Sequence, residues 1–141
     1  MSRAGRRLLG ARFHPLGFRN QREMGEGYAS ADALILPSRR GQGETWGLVV
    51  NEALQWGMPA LVSDGVGCRE DLVRTGETGW IFPDNSSEKL ANCLESLQRL
   101  SPSKRKIMTQ ACERMAKRHD LAAAVRGLTQ AIRSAAPPSE I

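Results

Sequence analysis

Three short, uninterrupted apolar runs constrain this chain more than any other feature: Ala33-Leu34-Ile35-Leu36, Ala60-Leu61-Val62 and Gly79-Trp80-Ile81-Phe82. None of them alternates apolar with polar residues, so none has a face suited to water. Runs of this kind belong to strands covered on both faces, as in parallel sheets flanked by helices. Pro37 and Pro83 close two of them, because proline has no N–H to extend a strand ladder. A weaker strand pattern over residues 12–16, ended by Gly17, brings the expected number of strands to about four.

The intervening segments read as helices. Met24, Tyr28 and Ala31 fall at helical spacing, although Gly25 and Gly27 weaken that helix. Residues 38–43 form a polar, glycine-bearing loop, and a helix is predicted over 48–56, stopped by Gly57 and Pro59. A turn over 64–67 leads into a short helix over 68–74. Asn85 followed by Glu88 resembles a capping box, with Leu90, Cys93, Leu94 and Leu97 as one apolar stripe behind it. Ser101-Pro102 opens the next helix, whose buried face is predicted to be Ile107, Met108, Ala111 and Met115. Leu121, Val125, Leu128 and Ile132 mark a last helix, with fraying expected beyond it. Strands alternating with helices predict an α/β fold with a parallel sheet, flanking helices and a helical C-terminal segment. That segment is large for so narrow a sheet.

The chain of 141 residues suits one compact domain. No apolar run approaches the roughly 18 residues of a membrane span, and no apolar signal stretch follows the basic start over residues 1–7. The expected location is therefore cytoplasmic, extending to peripheral contact at the inner membrane face. Cys68, Cys93 and Cys112 are widely spaced and form no Cys/His cluster, so buried thiols are expected and a metal is not. The net charge of +5 lies largely in residues 3–12 and 99–118. It suits anionic partners, or simply solvated helix faces.

Chemistry concentrates in Glu44-Thr45-Trp46-Gly47-Leu48-Val49-Val50-Asn51-Glu52. This stretch follows a buried strand and opens a helix, at the carboxyl end of the sheet where α/β proteins bind ligands. A helix N-terminus offers free N–H groups and partial positive charge to a phosphate, and Gly47 has no side chain to block its approach. A carboxylate on either side, Glu44 and Glu52, can accept paired hydroxyl hydrogen bonds. Two Glu eight apart are equally readable as solvated carboxylates until their surroundings are considered.

Those surroundings are specific: Gly17-Phe18, Ala31-Asp32, Pro37-Ser38, Glu44 to Glu52-Ala53, Gly57-Met58-Pro59, Ser63-Asp64 and Gly79-Trp80-Ile81-Phe82-Pro83. In order and spacing the set resembles glycosyltransferase family 4, retaining enzymes of the GT-B fold. The resemblance covers residues 12–100 and implies part of the C-terminal, Rossmann-like donor domain. On that reading the chain divides into a basic segment 1–11, a nucleotide-sugar-binding region 12–100, C-terminal helices 101–135 and a tail 136–141.

The resemblance implies roles position by position. Glu44 resembles the carboxylate that meets the donor sugar hydroxyls, the catalytic assignment, and Glu52 the one that binds the ribose. Gly47, Leu48 and Val49 resemble the turn whose backbone approaches the diphosphate. Trp46 stands where the family often has Phe, either walling the donor pocket or packing in the core. Phe18, Arg19 and Asn20 occupy the positions that touch the base. Arg39 and Arg40, in the loop before Glu44, read first as solvated loop arginines and second as cations leaning toward the phosphate, and His14 and His119 receive no catalytic role. The donor is a nucleotide-diphosphate sugar; no cofactor, metal or nucleic acid is expected.

The family's acceptor domain and its upstream Arg and Lys, which clamp the diphosphate, have no counterpart in this sequence. The resemblance thus implies a donor-domain fragment, inactive by itself, with an acceptor domain in cis or in trans. The alternatives are a non-catalytic nucleotide-binding module, a subunit of a split glycosyltransferase, or a nucleic-acid or membrane-surface binder using the basic helices.

Overall fold

The computed structural model describes residues 2–41 and 44–135. The expected tail, 136–141, and two residues of the loop 38–43 lie outside the described residues. The chain falls into two compact units, residues 1–30 and 31–141.

The first unit holds helix α1 (Ser2–Leu9), a 3-10 turn (Gly10–Arg12) and helix α2 (Gln21–Ala29). The strand expected over 12–16 is absent. Pro15 has no N–H to give to a ladder, and residues 13–16 run without regular structure to a turn at Gly17, whose φ is +68°. Asn20 and Glu23 cap α2 reciprocally: the Glu23 N–H donates to Asn20 Oδ1 at 3.1 Å, and the Asn20 N–H donates to Glu23 Oε2 at 3.0 Å. Ala31, expected within this helix, lies beyond its end.

The second unit is the α/β body, with strands β1 (Leu34–Leu36), β2 (Ala60–Ser63) and β3 (Gly79–Phe82). They form a three-stranded parallel sheet in the order β1-β2-β3, with Leu34 opposite Ala60 and Ala60 opposite Gly79. The sheet thus has one strand fewer than the sequence pattern suggests. Every residue of the central β2 is buried, as expected, but the outer strands β1 and β3 are not covered on both faces: Ile35 is 41% exposed and Ile81 36%.

Helices α3 (Leu48–Gln55), α4 (Arg69–Leu72) and α5 (Ser87–Gln98) connect and cover the strands. Val50, Ala53 and Leu54 form the buried stripe of α3, which packs on β1 and β2. The cap of α5 is Ser86, one residue after the expected Asn85: its hydroxyl accepts from the Lys89 N–H. Helix α6 (Pro102–Arg118) starts as predicted, with Ser101 as cap and proline in its first turn, and lies against α3. Its buried residues are Met108, Ala111, Cys112, Met115 and Ala116, whereas Ile107 is 61% exposed. Helix α7 (Leu121–Ala135) keeps its apolar stripe, but Leu121, Val125, Leu128 and Ile132 are all between 54% and 81% exposed.

The core joins β2 to α3, α5 and α6 through Leu54, Leu61, Val62, Leu72, Phe82, Leu97 and Met108. Cys68, Cys93 and Cys112 are buried thiols within it. The buried Thr78 hydroxyl is satisfied on both sides, donating to Leu72 O at 2.8 Å and accepting from the Arg74 N–H at 2.7 Å. The Asn51 amide of α3 donates to His119 O at the end of α6, tying the two helices. The His119 ring itself lies 3.1 Å from Met115 O, a helix-end contact rather than a catalytic pairing.

Candidate functional site at the carboxyl end of the sheet

Three parallel strands deliver three loops to one end of the sheet: described at 37–41 and 44–47 after β1, 64–68 after β2, and 83–86 after β3. Glu44, Trp46 and Gly47 lie on the first loop, and Leu48, Val49 and Glu52 on the helix that continues it. One continuous connection therefore carries six of the nine expected site residues. Phe18, Arg19 and Asn20 lie in the first unit, in the segment leading into α2. Phe18 is 96% exposed, Arg19 donates from Nε to Leu16 O at 3.1 Å, and the Asn20 side chain serves as the α2 cap.

Gly47 is the hinge of the arrangement. It is the N-cap of α3 with φ +99° and ψ 59°, a left-handed conformation costly for any residue with a Cβ. A Cβ there would also meet Val66 Cγ1 at 3.0 Å and Leu36 Cδ2 at 3.2 Å. The loop after β2 presses on the same spot. A Cβ on Gly67 would overlap the Thr45 carbonyl, and the Cys68 N–H donates to Trp46 O at 2.9 Å. The β1 and β2 loops thus pack backbone on backbone, and α3 begins where they meet. The first turn of a helix has amides with no intrahelical acceptor and a partial positive charge. Leu48, its first residue, is 68% exposed.

Glu44 and Glu52 are half-buried, on either side of this helix start in sequence. Trp46 is partly exposed while its carbonyl is held by Cys68. Beneath Gly47 lies the Cys68 thiol, 3.8 Å from Gly47 O. Burial pushes that thiol up to about 11, with the nearby Glu44 and Asp71 carboxylates acting in the same direction. Cys68 is thus a packed, protonated floor rather than a nucleophile.

The residues that tie the three loops together are ones the sequence reading left without a role. Asp64, at the end of β2, accepts from Arg40 Nη2 at 2.8 Å through Oδ2 and from the Asp84 N–H at 3.0 Å through Oδ1. Asp84 in turn accepts from the Arg40 N–H at 3.0 Å, and the Asp64 N–H donates to Phe82 O at 2.8 Å. The buried Ser63 hydroxyl donates to Ser38 O in the β1 loop. Ser63-Asp64 was visible as a motif, but only the fold reveals its partners. Arg40, read from sequence as a solvated arginine, has one end of its guanidinium committed to Asp64.

With the geometry in place, comparison with known proteins is decisive for the family. The profile of the family described as glycosyl transferases group 1 matches residues 2–115. The chain belongs to this family. Among curated relatives, this glycosyl transferase group 1 chain is 32% identical over 104 residues to WcaL of Salmonella typhimurium, named for colanic acid biosynthesis. It is 30% identical over 106 residues to the sulfoquinovosyl transferase SQD2 of Arabidopsis thaliana, and 39% identical over 74 residues to an exopolysaccharide phosphotransferase of Streptomyces coelicolor. These matches take in 71%, 72% and 52% of the chain but only 25%, 20% and 8% of the respective relatives.

Two solved structures share the fold. Sucrose-phosphate synthase of Thermosynechococcus elongatus matches 92% of this chain and 32% of its own, with a TM-score of 0.73. Anabaena HepE, solved in complex with UDP-glucose, matches 94% and 35%, with a TM-score of 0.74. Both are 23% identical. The fold is accordingly the Rossmann-like one of GT-B glycosyltransferases, as the motif set implied.

Proposed function

We propose that this chain is the donor-binding part of a retaining, family 4-type glycosyltransferase and that it holds a nucleotide-diphosphate sugar over the start of α3. The observation that carries the reading is Gly47: a left-handed, side-chain-free helix cap packed where the β1 and β2 loops meet. Backbone amides in such a place suit a diphosphate, and two half-buried glutamates flank it in sequence. Glu52 would take the ribose hydroxyls and Glu44 those of the transferred sugar, with Leu48 and Val49 completing the diphosphate turn. Trp46 would wall the donor pocket; for Phe18, Arg19 and Asn20 the base-contact role rests on the family resemblance alone. Family membership and a fold shared with a UDP-glucose-bound protein support this reading.

In retaining transfer negative charge builds on the departing diphosphate, and the positive end of α3 would stabilise it there. The reading asks for no metal. Transfer itself also needs an acceptor held in register, commonly worth about 7 kcal/mol or more of the barrier. The chain spans a quarter or less of its curated relatives' length. We therefore assign acceptor binding to a further domain, in cis or in trans, and assign this chain donor binding without turnover of its own. Relatives named for exopolysaccharide and colanic acid assembly favour a role in polysaccharide biosynthesis. Such a role fits work at the cytoplasmic membrane face; among the described residues no helix is long and apolar enough to cross a membrane.

Calorimetry with UDP-glucose and a GDP-sugar tests the reading. The wild-type chain should bind one of them, Glu52→Ala should bind about tenfold or more weakly, about 1.4 kcal/mol, and neither should transfer sugar. Equal affinity in the two proteins would remove Glu52 from the site, and turnover by the 141-residue chain would refute the division of labour.

A further inference from the structure

We infer that Asp64 is a positioning residue, the centre of a clasp that fixes the Glu44-bearing loop over the donor site. The inference rests on the donor-site reading above for its functional consequence, though the clasp itself is a matter of hydrogen bonds. Three loops emerge side by side from a narrow sheet, and a loop alone is held weakly. Here each is tied to the next. Arg40, four residues before Glu44, is bound twice: its guanidinium to Asp64 at 2.8 Å and its N–H to Asp84 at 3.0 Å. Asp64 also receives the Asp84 N–H, so β1, β2 and β3 are linked at their carboxyl ends through one carboxylate.

The chemistry of that carboxylate is what makes the arrangement specific. Asp64 uses both oxygens as acceptors, Oδ2 for Arg40 and Oδ1 for Asp84. An asparagine in its place has one acceptor and one donor amide, so one of the two bonds would become donor against donor. Asp84 by contrast accepts through a single oxygen, Oδ2, a task that asparagine performs as well. Asp64→Asn and Asp84→Asn, although the same substitution, should therefore differ sharply. The Asp64 side chain is 25% exposed while that of Arg40 is 69% exposed, so loss of Arg40 leaves a carboxylate that water can still reach. Burial tends to push the Asp64 carboxyl up, but the Arg40 and Asp84 hydrogen bonds and the charges of Arg40 and Arg69 hold it below its ordinary value. The clasp is thereby closed at neutral pH.

Two measurements on the 141-residue chain decide the matter. Amide hydrogen exchange should show faster exchange at residues 38–41 and 44–47 in Asp64→Asn and in Arg40→Gln, little change in Asp84→Asn, and no change in β2 or α3. Calorimetry with UDP-glucose should show a loss of affinity on the order of five- to tenfold in the first two variants and less than twofold in the third. Unchanged exchange in Asp64→Asn overturns the clasp. Faster loop exchange with unchanged affinity overturns its role in donor binding, and faster exchange throughout β2 reduces Asp64 to a general stabiliser. A wild-type chain that binds no nucleotide sugar refutes the donor-site reading instead, and the exchange result still decides the clasp.

Discussion

At Gly47 two independent constraints exclude a side chain: the left-handed φ of +99° and the presence of Val66 within 3.0 Å of where a Cβ would sit. Either alone could be tolerated by a small shift; together they require the α3 start to move relative to the β2 loop. Gly47→Ala should cost about 1–3 kcal/mol of stability and weaken nucleotide-sugar binding beyond what that loss explains, since the displaced groups are the diphosphate-facing amides. Urea unfolding and calorimetry on the same variant test this, and an alanine variant as stable as wild type would show that the cap relaxes. The sequence revealed Gly47 as a permissive residue near a helix start, but not the packing that makes it necessary. The same limit applied at Asp64, Arg40 and Asp84. Partners 24 and 44 residues apart in sequence become neighbours only when the strands align, and no local pattern encodes that.

Elements were legible where the pattern was local and the covering layer unambiguous. The strands at 34–36, 60–63 and 79–82, and the helix starts at Leu48 and Pro102, follow from apolar runs, caps and proline placement, although only 60–63 is buried throughout. The run over 12–16 failed because Pro15 removes a ladder donor that periodicity ignores. Helix α6 shows the other failure. Ile107 and Met108 are adjacent, equally apolar, and both plausible on a helical wheel, yet only Met108 is buried in the core; Ile107 is 61% exposed. Deciding between neighbours 100° apart requires knowing the angle at which α6 lies on α3, which a single sequence does not carry. Met108→Ala should therefore destabilise the chain by about 2–5 kcal/mol, and Ile107→Ala by less than about 0.5 kcal/mol. Chemical denaturation of the two variants side by side is the check; comparable losses would mean that α6 is rotated from its described orientation.

For the whole molecule, the groups displaced from their ordinary ionisation define a window of pH within which the fold is secure. On the acid side, Asp64 is held below the usual carboxylate value in the folded chain. Its contribution is fully present above the unfolded value of about 3.9 and is lost as pH falls through the lower folded value. On the alkaline side the sign reverses. Burial raises Cys68 to about 11 and Cys112 to about 12, and it raises Cys93 as well. The folded core accommodates these thiols only when neutral. An unfolded chain gives up their protons from about pH 8.5 upward, so stability falls from there toward the folded values. Stability measured by urea at successive pH values should thus be level from about pH 5 to 8, decline above 8.5, and decline again in acid. Replacing Cys68 and Cys112 together with alanine should flatten the alkaline limb even as the lost packing lowers the plateau, while Asp64→Asn should flatten part of the acid limb alone. An alkaline limb of unchanged slope in the double cysteine variant would overturn its assignment to these thiols.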